Sequence, residues 1–164
     1  MSYLRFTAMV IVSTVIMFGL MYLNTFASDH VFFSQTRAWM ALLMGAVMAA
    51  IMLMFMWNMY ANRNINFAIL AMSAGVFAIS LWLVRSQATV DDLSYMKAMI
   101  PHHSIAIMTS DRAHIRDPRV RKLADGIIAA QVKEIGEMEA LIKDLEEHPV
   151  SSNVPEMAPT VSPE

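Results

Sequence analysis

The sequence predicts an all-α protein in which three transmembrane helices precede a soluble two-helix hairpin. Three observations lead there: charge is excluded from the first half, that half holds three long uncharged runs, and helical periodicity with an Asp-Pro restart follows residue 86. The chain has 164 residues, of which 57% are apolar, and a mean hydropathy of +0.47, too apolar for a soluble domain of this size. Residues 1–85 carry five charged side chains, Arg5, Asp29, Arg37, Arg63 and Arg85. The remaining 79 positions hold 8 basic and 13 acidic residues, so each half is built for a different solvent. The acidic balance argues against a nucleic-acid partner, and the absence of cysteine excludes a disulfide-stapled domain.

The charge gaps place the spans at about 6–28, 38–62 and 64–84, runs of 23, 25 and 21 residues. About 20 residues cross the hydrocarbon core. Tyr22, Trp39, Trp57, Tyr60 and Trp82 lie near the ends of these runs, where an amphipathic ring suits the headgroup layer. The first run is read as an uncleaved anchor rather than a signal sequence, because its apolar core exceeds the usual h-region. Arginine counts leave the orientation open, with Arg5 and Arg63 on one side and Arg37 and Arg85 on the other. No acidic, basic or histidine residue is expected inside a span, which argues against a proton or ion path. Met40, Met44, Met48, Met52 and Met56 recur every four residues in the second span and are read as packing. Ala41, Gly45 and Ala49 form a small-residue row that lets another helix approach closely.

After a polar linker at 86–90, Asp91 and Asp92 open a helix expected to reach about Ile115. Asp117-Pro118 then restarts the chain as N-cap and first helical residue, giving a second helix over about 118–147. The soluble domain is therefore 86–148, the membrane domain 1–85, and the Pro-, Ser- and Thr-bearing segment 149–164 a disordered tail. On the second helix, Val120, Leu123, Ile127, Gln131, Glu134, Met138, Leu141 and Leu145 share one face and are taken as its core stripe. Glu134 on that stripe needs a partner from the facing helix. Two such helices leave apolar surface bare unless the membrane half or a second hairpin covers it, and a dimeric four-helix bundle is the expected homo-oligomer.

The first soluble helix carries an unusual set of donors. Asp92, Met96, Met99, His103, Ser110 and His114 fall in one sector of about 60° at 100° per residue. Pro101 interrupts the backbone bonding between the methionines and His102-His103. Each residue alone has a structural reading, methionine as core filler and histidine as a surface group. Thioethers beside imidazoles in a chain without thiols instead suit a soft ion, Cu(I) or Ag(I), better than zinc or iron.

The run Tyr95-Met96-Lys97-Ala98-Met99-Ile100-Pro101-His102-His103, with Ala106-Ile107-Met108, Asp117-Pro118, Leu123-Ala124, Gln131, Glu134-Ile135 and Met138, resembles the bacterial copper-associated family called domain of unknown function 305. The likeness covers about 91–145. It implies a ferritin-like helical fold, copper resistance as a setting, and a bacterial inner-membrane protein whose C-terminal domain is periplasmic. It implies Met96, Met99, His102, His103, Met108 and Met138 as copper-binding positions, supported by Gln131 and Glu134. Leu141 stands where the family's tryptophan is expected, a departure that touches packing and leaves the donor positions in place.

These readings lead to a membrane-anchored protein that captures or buffers copper, Cu(I) first and Ag(I) or Cu(II) after it, without catalytic turnover or an organic cofactor. Its expected partners are the metal ion, membrane lipid, a second copy and copper-handling proteins. The alternatives are a ferritin-like metal oxidase, although no Glu is followed three residues later by His as such di-iron sites require, and a membrane assembly subunit that binds no metal.

Overall fold

The computed structural model describes residues 2–151 and 153–160, and among these the regular structure is helical. Five α-helices follow one another: α1 Tyr3–Leu20, α2 Gln35–Phe55, α3 Arg63–Ser86, α4 Asp92–Arg112 and α5 Pro118–Glu147, with short 3₁₀ turns at Ser28–His30 and Trp57–Met59. The first three are long and apolar enough to cross a membrane. Of the tail expected at 149–164, the described part carries no helix or strand, and residues 152 and 161–164 lie outside the described set.

The first two helices end before their charge gaps do, at Leu20 and Phe55, whereas α3, with 24 residues, runs slightly beyond its gap at both ends, and neutral polar residues start α2 and α3. Ser34 caps α2 through a bond from the Arg37 amide, and Asn62 caps α3 by accepting from the amides of Asn64 and Ile65. Arg5 falls in the first turn of α1, Arg63 and Arg85 fall in the end turns of α3, and starting α2 at Gln35 puts Arg37 inside its first turn, which corrects the expectation of charge-free spans. The Arg37 guanidinium donates to the Met21 carbonyl at 2.8 Å and lies 4.4 Å from the Tyr22 ring centre, so a carbonyl and a ring face partner its charge locally.

The three spans hold together by small and hydroxyl-bearing faces, as expected where lipid removes the hydrophobic incentive for association. Ala41, Gly45, Ala46 and Ala49 are buried on α2, and a Cβ at Gly45 would collide with the Thr14 hydroxyl of α1. On α3 the buried residues are Asn66, Ser73 and Ser80, each seven apart and so on one face. Asn66 is fully enclosed; its Oδ1 accepts from the Tyr3 hydroxyl at 2.8 Å while its Nδ2 donates to the Tyr60 carbonyl at 3.3 Å. The methionines at 40, 44, 48, 52 and 56 are half-buried beside these rows.

The soluble hairpin follows its predicted caps. Asp91 accepts from the Ser94 amide at 2.8 Å and opens α4, and Asp117 accepts from the Arg119 amide at 2.8 Å and opens α5. The hydrogen bonds from Ser94 hold the Asp91 carboxyl below its ordinary value. Arg119 does the same for Asp117. Met96, Ile100 and Ile107 of α4 meet Ile135 and Ile142 of α5 in one core, against which Leu93, Ile128, Met138 and Leu145 pack.

The α5 stripe is displaced from the expected one. Its buried residues are Ala124, Ile135 and Ile142, about 60–80° around the helix from Ile127. Val120, Leu123, Ile127 and Leu141, expected in the core, are exposed. The apolar arc of α5 is wider than α4 can cover, and α4 takes one margin of it.

The membrane half reaches the hairpin through the connector between α1 and α2. Phe32 from that connector packs into the hairpin core. The Phe26 amide donates to the Ser104 hydroxyl at 2.7 Å, His30 Nδ1 lies 2.9 Å from the same oxygen, and Gln35 Nε2 donates to the Ser94 hydroxyl at 3.0 Å. Thus α4 is a middle layer, with α2 and the connector on one side and α5 on the other.

Candidate metal centre

His103 is the focus of the site. It sits on the α5-facing side of α4 and is 8% exposed, so its ring needs partners on both nitrogens. Nδ1 lies 2.9 Å from the Met99 carbonyl, which can only accept, so Nδ1 carries the hydrogen. Nε2 points at Glu134 Oε2, 2.7 Å away on α5. The expected partner for Glu134 is therefore His103, although the carboxylate is half-exposed rather than buried. Gln131 Nε2, one turn earlier on α5, donates to the same oxygen at 3.3 Å.

This arrangement fixes what the imidazole can do. A backbone carbonyl that holds Nδ1–H sets the tautomer in which Nε2 is either a second donor or a free lone pair. As imidazolium, Nε2–H completes an ion pair with Glu134. As neutral imidazole, Nε2 offers a lone pair in the same direction, with the carboxylate ready as a neighbouring donor. Metal-ligating histidines characteristically give their other N–H to a carbonyl or carboxylate, as His103 does.

His102 is exposed, and its ring stands 6.2 Å from that of His103 at 70°. With Met99 it lines a cavity of about 220 Å³ between α4 and the membrane half, whose other walls include Tyr95, Arg37 and Gln87. Gln87, the αL residue ending α3 at φ 53°, accepts from the Thr36 hydroxyl at 3.3 Å, which fixes the wall on that side. Met99 is thus half-buried with its side chain at the cavity and its carbonyl on His103.

The other sequence-predicted positions are distributed differently. Met96 is buried in the hairpin core and Met138 packs against that core. Met108 is half-buried further along α4, Asp92 is exposed in its first turn, and His114 is exposed beyond its end. Asp92 and His114 lie 22 residues apart, about 33 Å if helical, so sharing a sector does not bring them to one ion. Met99, His102, His103, Glu134 and Gln131 are the subset gathered at the α4–α5 seam and the cavity beside it. Among the described residues, no three His, Asp or Glu side chains converge as a metal-ion cluster.

Sequence reasoning missed the connector side of the site. His30, Phe26 and Phe32 meet α4 across 70 to 80 positions of chain. Their polar and aromatic character gave no periodic signal, and Ser104, their partner on α4, gave none either.

Residues 92–163 match the family model described as "Domain of unknown function (DUF305)". An uncharacterized protein, L153, of Acanthamoeba polyphaga mimivirus is 35% identical over 88 residues, 52% of this chain and 58% of that protein. The chain spans less than two thirds of the length of that relative. No solved structure matches the chain. What these comparisons establish is that the soluble hairpin, following three helices able to span a membrane, is similar to a domain family of unknown function.

Proposed function

We propose that the protein is a membrane-anchored copper-binding protein that holds Cu(I), with Ag(I) as a chemical analogue, on the non-cytoplasmic side of a bacterial inner membrane. The observation that carries this reading is the pairing of Met99 and His103. They are one turn apart on α4, joined by the Nδ1–carbonyl hydrogen bond, and the other nitrogen of His103 is bonded to a half-exposed carboxylate that an ion could displace. His102 and Met99 add an imidazole and a thioether at the adjoining cavity. Thioethers and imidazoles are the donor set preferred by Cu(I), and thioethers release no proton on binding. They also remain ligands in an oxidising compartment, where thiols form disulfides. The action is capture or buffering of the ion as cargo. Met96 and Met138 serve the core, where their flexible side chains fill the seam below the site.

Titration of the full chain in detergent or nanodiscs with Cu(I), against a competing chelator, tests the reading. Saturable binding is expected, with affinity lowered about tenfold or more by Met99→Leu and by His103→Ala. Met99→Leu keeps volume and apolarity, so its folding cost should stay under about 1.5 kcal/mol. Unchanged affinity and stoichiometry in both variants, with helicity retained, would refute the assignment. Met48→Leu in the second span is the control and should leave binding unaltered.

A further inference from the structure

We propose that the uncovered margin of α5 pairs with the same margin of a second copy, antiparallel, in the same membrane. Val120, Leu123, Ile127 and Leu141 are exposed on α5, with Leu123 at 65%. Val120, Ile127, Glu134 and Leu141 recur every seven residues, the spacing of a helix–helix seam. This margin lies about a quarter-turn from the face that α4 covers. Since α4 is sandwiched between the membrane half and α5, a quarter-turn from α4 faces sideways along the membrane surface, where another copy of the same topology lies.

Charge selects the direction. Residues 116–125 hold four basic and two acidic side chains, whereas 126–147 hold two basic and six acidic. Parallel pairing sets like charge against like; antiparallel pairing sets the basic end of one helix against the acidic end of the other. A two-fold axis between Ala130 and Gln131 then places Val120 opposite Leu141, Leu123 opposite Met138 and Ile127 opposite Glu134, with Arg119 on the flank of the seam within reach of the partner copy's Asp144. Gly126 and Ala130 form a shallow groove near this axis. A Cβ at Gly126 would meet nothing in its own chain, so the groove is open to a neighbouring helix. The dimer closes a four-helix layer over the membrane and covers the His103–Glu134 pair of each copy with Ile127 of the other.

The natural chain has no cysteine, so single introduced thiols report proximity directly. In the full chain in its membrane, Gln131→Cys beside the axis should oxidise to a covalent dimer, while Ala129→Cys, nearly half a turn away, should remain monomeric. Arg119→Glu and Asp144→Arg, both at exposed positions, should each weaken dimerisation about fivefold, since symmetry doubles every pair. The double exchange should restore it. Equal cross-linking at 129 and 131, an adduct of another mass, a monomeric Gln131→Cys, or no rescue by the double exchange would each overturn the proposal.

Discussion

At the scale of single residues, Ser104 and His103 are neighbours with opposite allegiances. His103 turns to α5 through Glu134, while Ser104 turns to the connector, accepting from the Phe26 amide and meeting His30. One helix turn therefore joins the candidate metal seam to the membrane half. Ser104→Ala removes the acceptor of the Phe26 amide, a part-buried bond, and should cost about 1 kcal/mol, the net worth of a typical intramolecular hydrogen bond. A lowered Tm, with faster hydrogen exchange around 26–30 and unchanged exchange in α3, is the expected signature. An unaltered Tm would show that water replaces the serine. None of this long-range pairing was legible in the sequence, because serine and histidine carry no periodic signal and the contact spans more than 70 positions. The Met-Ile-Pro-His-His run was legible, but the division of Met96 to the core and Met99 to the cavity was not. It depends on which neighbour occupies each side of α4.

At the scale of elements, capping explains both what was readable and what was not. Asp117-Pro118 gave the start of α5 directly, since Asp accepts from the first turn and Pro gives up only an amide hydrogen that would be unpaired. The first two spans were overextended at their C-terminal ends because the uncharged chain runs on past the last helical turn, through 21–28 after α1 and through the 3₁₀ turn Trp57–Met59 after α2. The α5 stripe was misplaced because its apolar arc is wide and periodicity alone cannot choose which margin α4 takes. The cap of α4 also carries a pH dependence. Hydrogen bonding from Ser94 lowers the Asp91 carboxyl in the folded state. Its stabilisation is therefore fully present above the unfolded value, about pH 4, and is lost as pH falls through the lower folded value. Asp91→Asn keeps a capping oxygen but cannot titrate. Tm of the natural chain should fall relative to Asp91→Asn only below about pH 4. Parallel curves throughout would show that the carboxylate charge contributes nothing to the cap.

At the scale of the whole molecule, three layers succeed one another: a bundle of three helices able to span a membrane, held by small and hydroxyl residues, then α4 lying on its connector, and α5 on α4. The order places Met99 and His102 beside the cavity at the junction with the three apolar helices rather than at the tip of the hairpin. With an odd number of spans the termini lie on opposite sides, so the proposed function puts the N-terminus in the cytoplasm. A reporter active only in the cytoplasm and fused after residue 164 should be silent, and a bright one would reverse the orientation. The central claim is that Met99 and His103 bind one soft ion together. X-ray absorption at the copper edge of the full chain loaded with one equivalent of Cu(I) tests it most directly. The account predicts sulfur and nitrogen scatterers in the same shell, with the sulfur contribution reduced by Met99→Leu and the nitrogen contribution by His103→Ala. A shell of nitrogen and oxygen alone, or one that neither substitution alters, would contradict it.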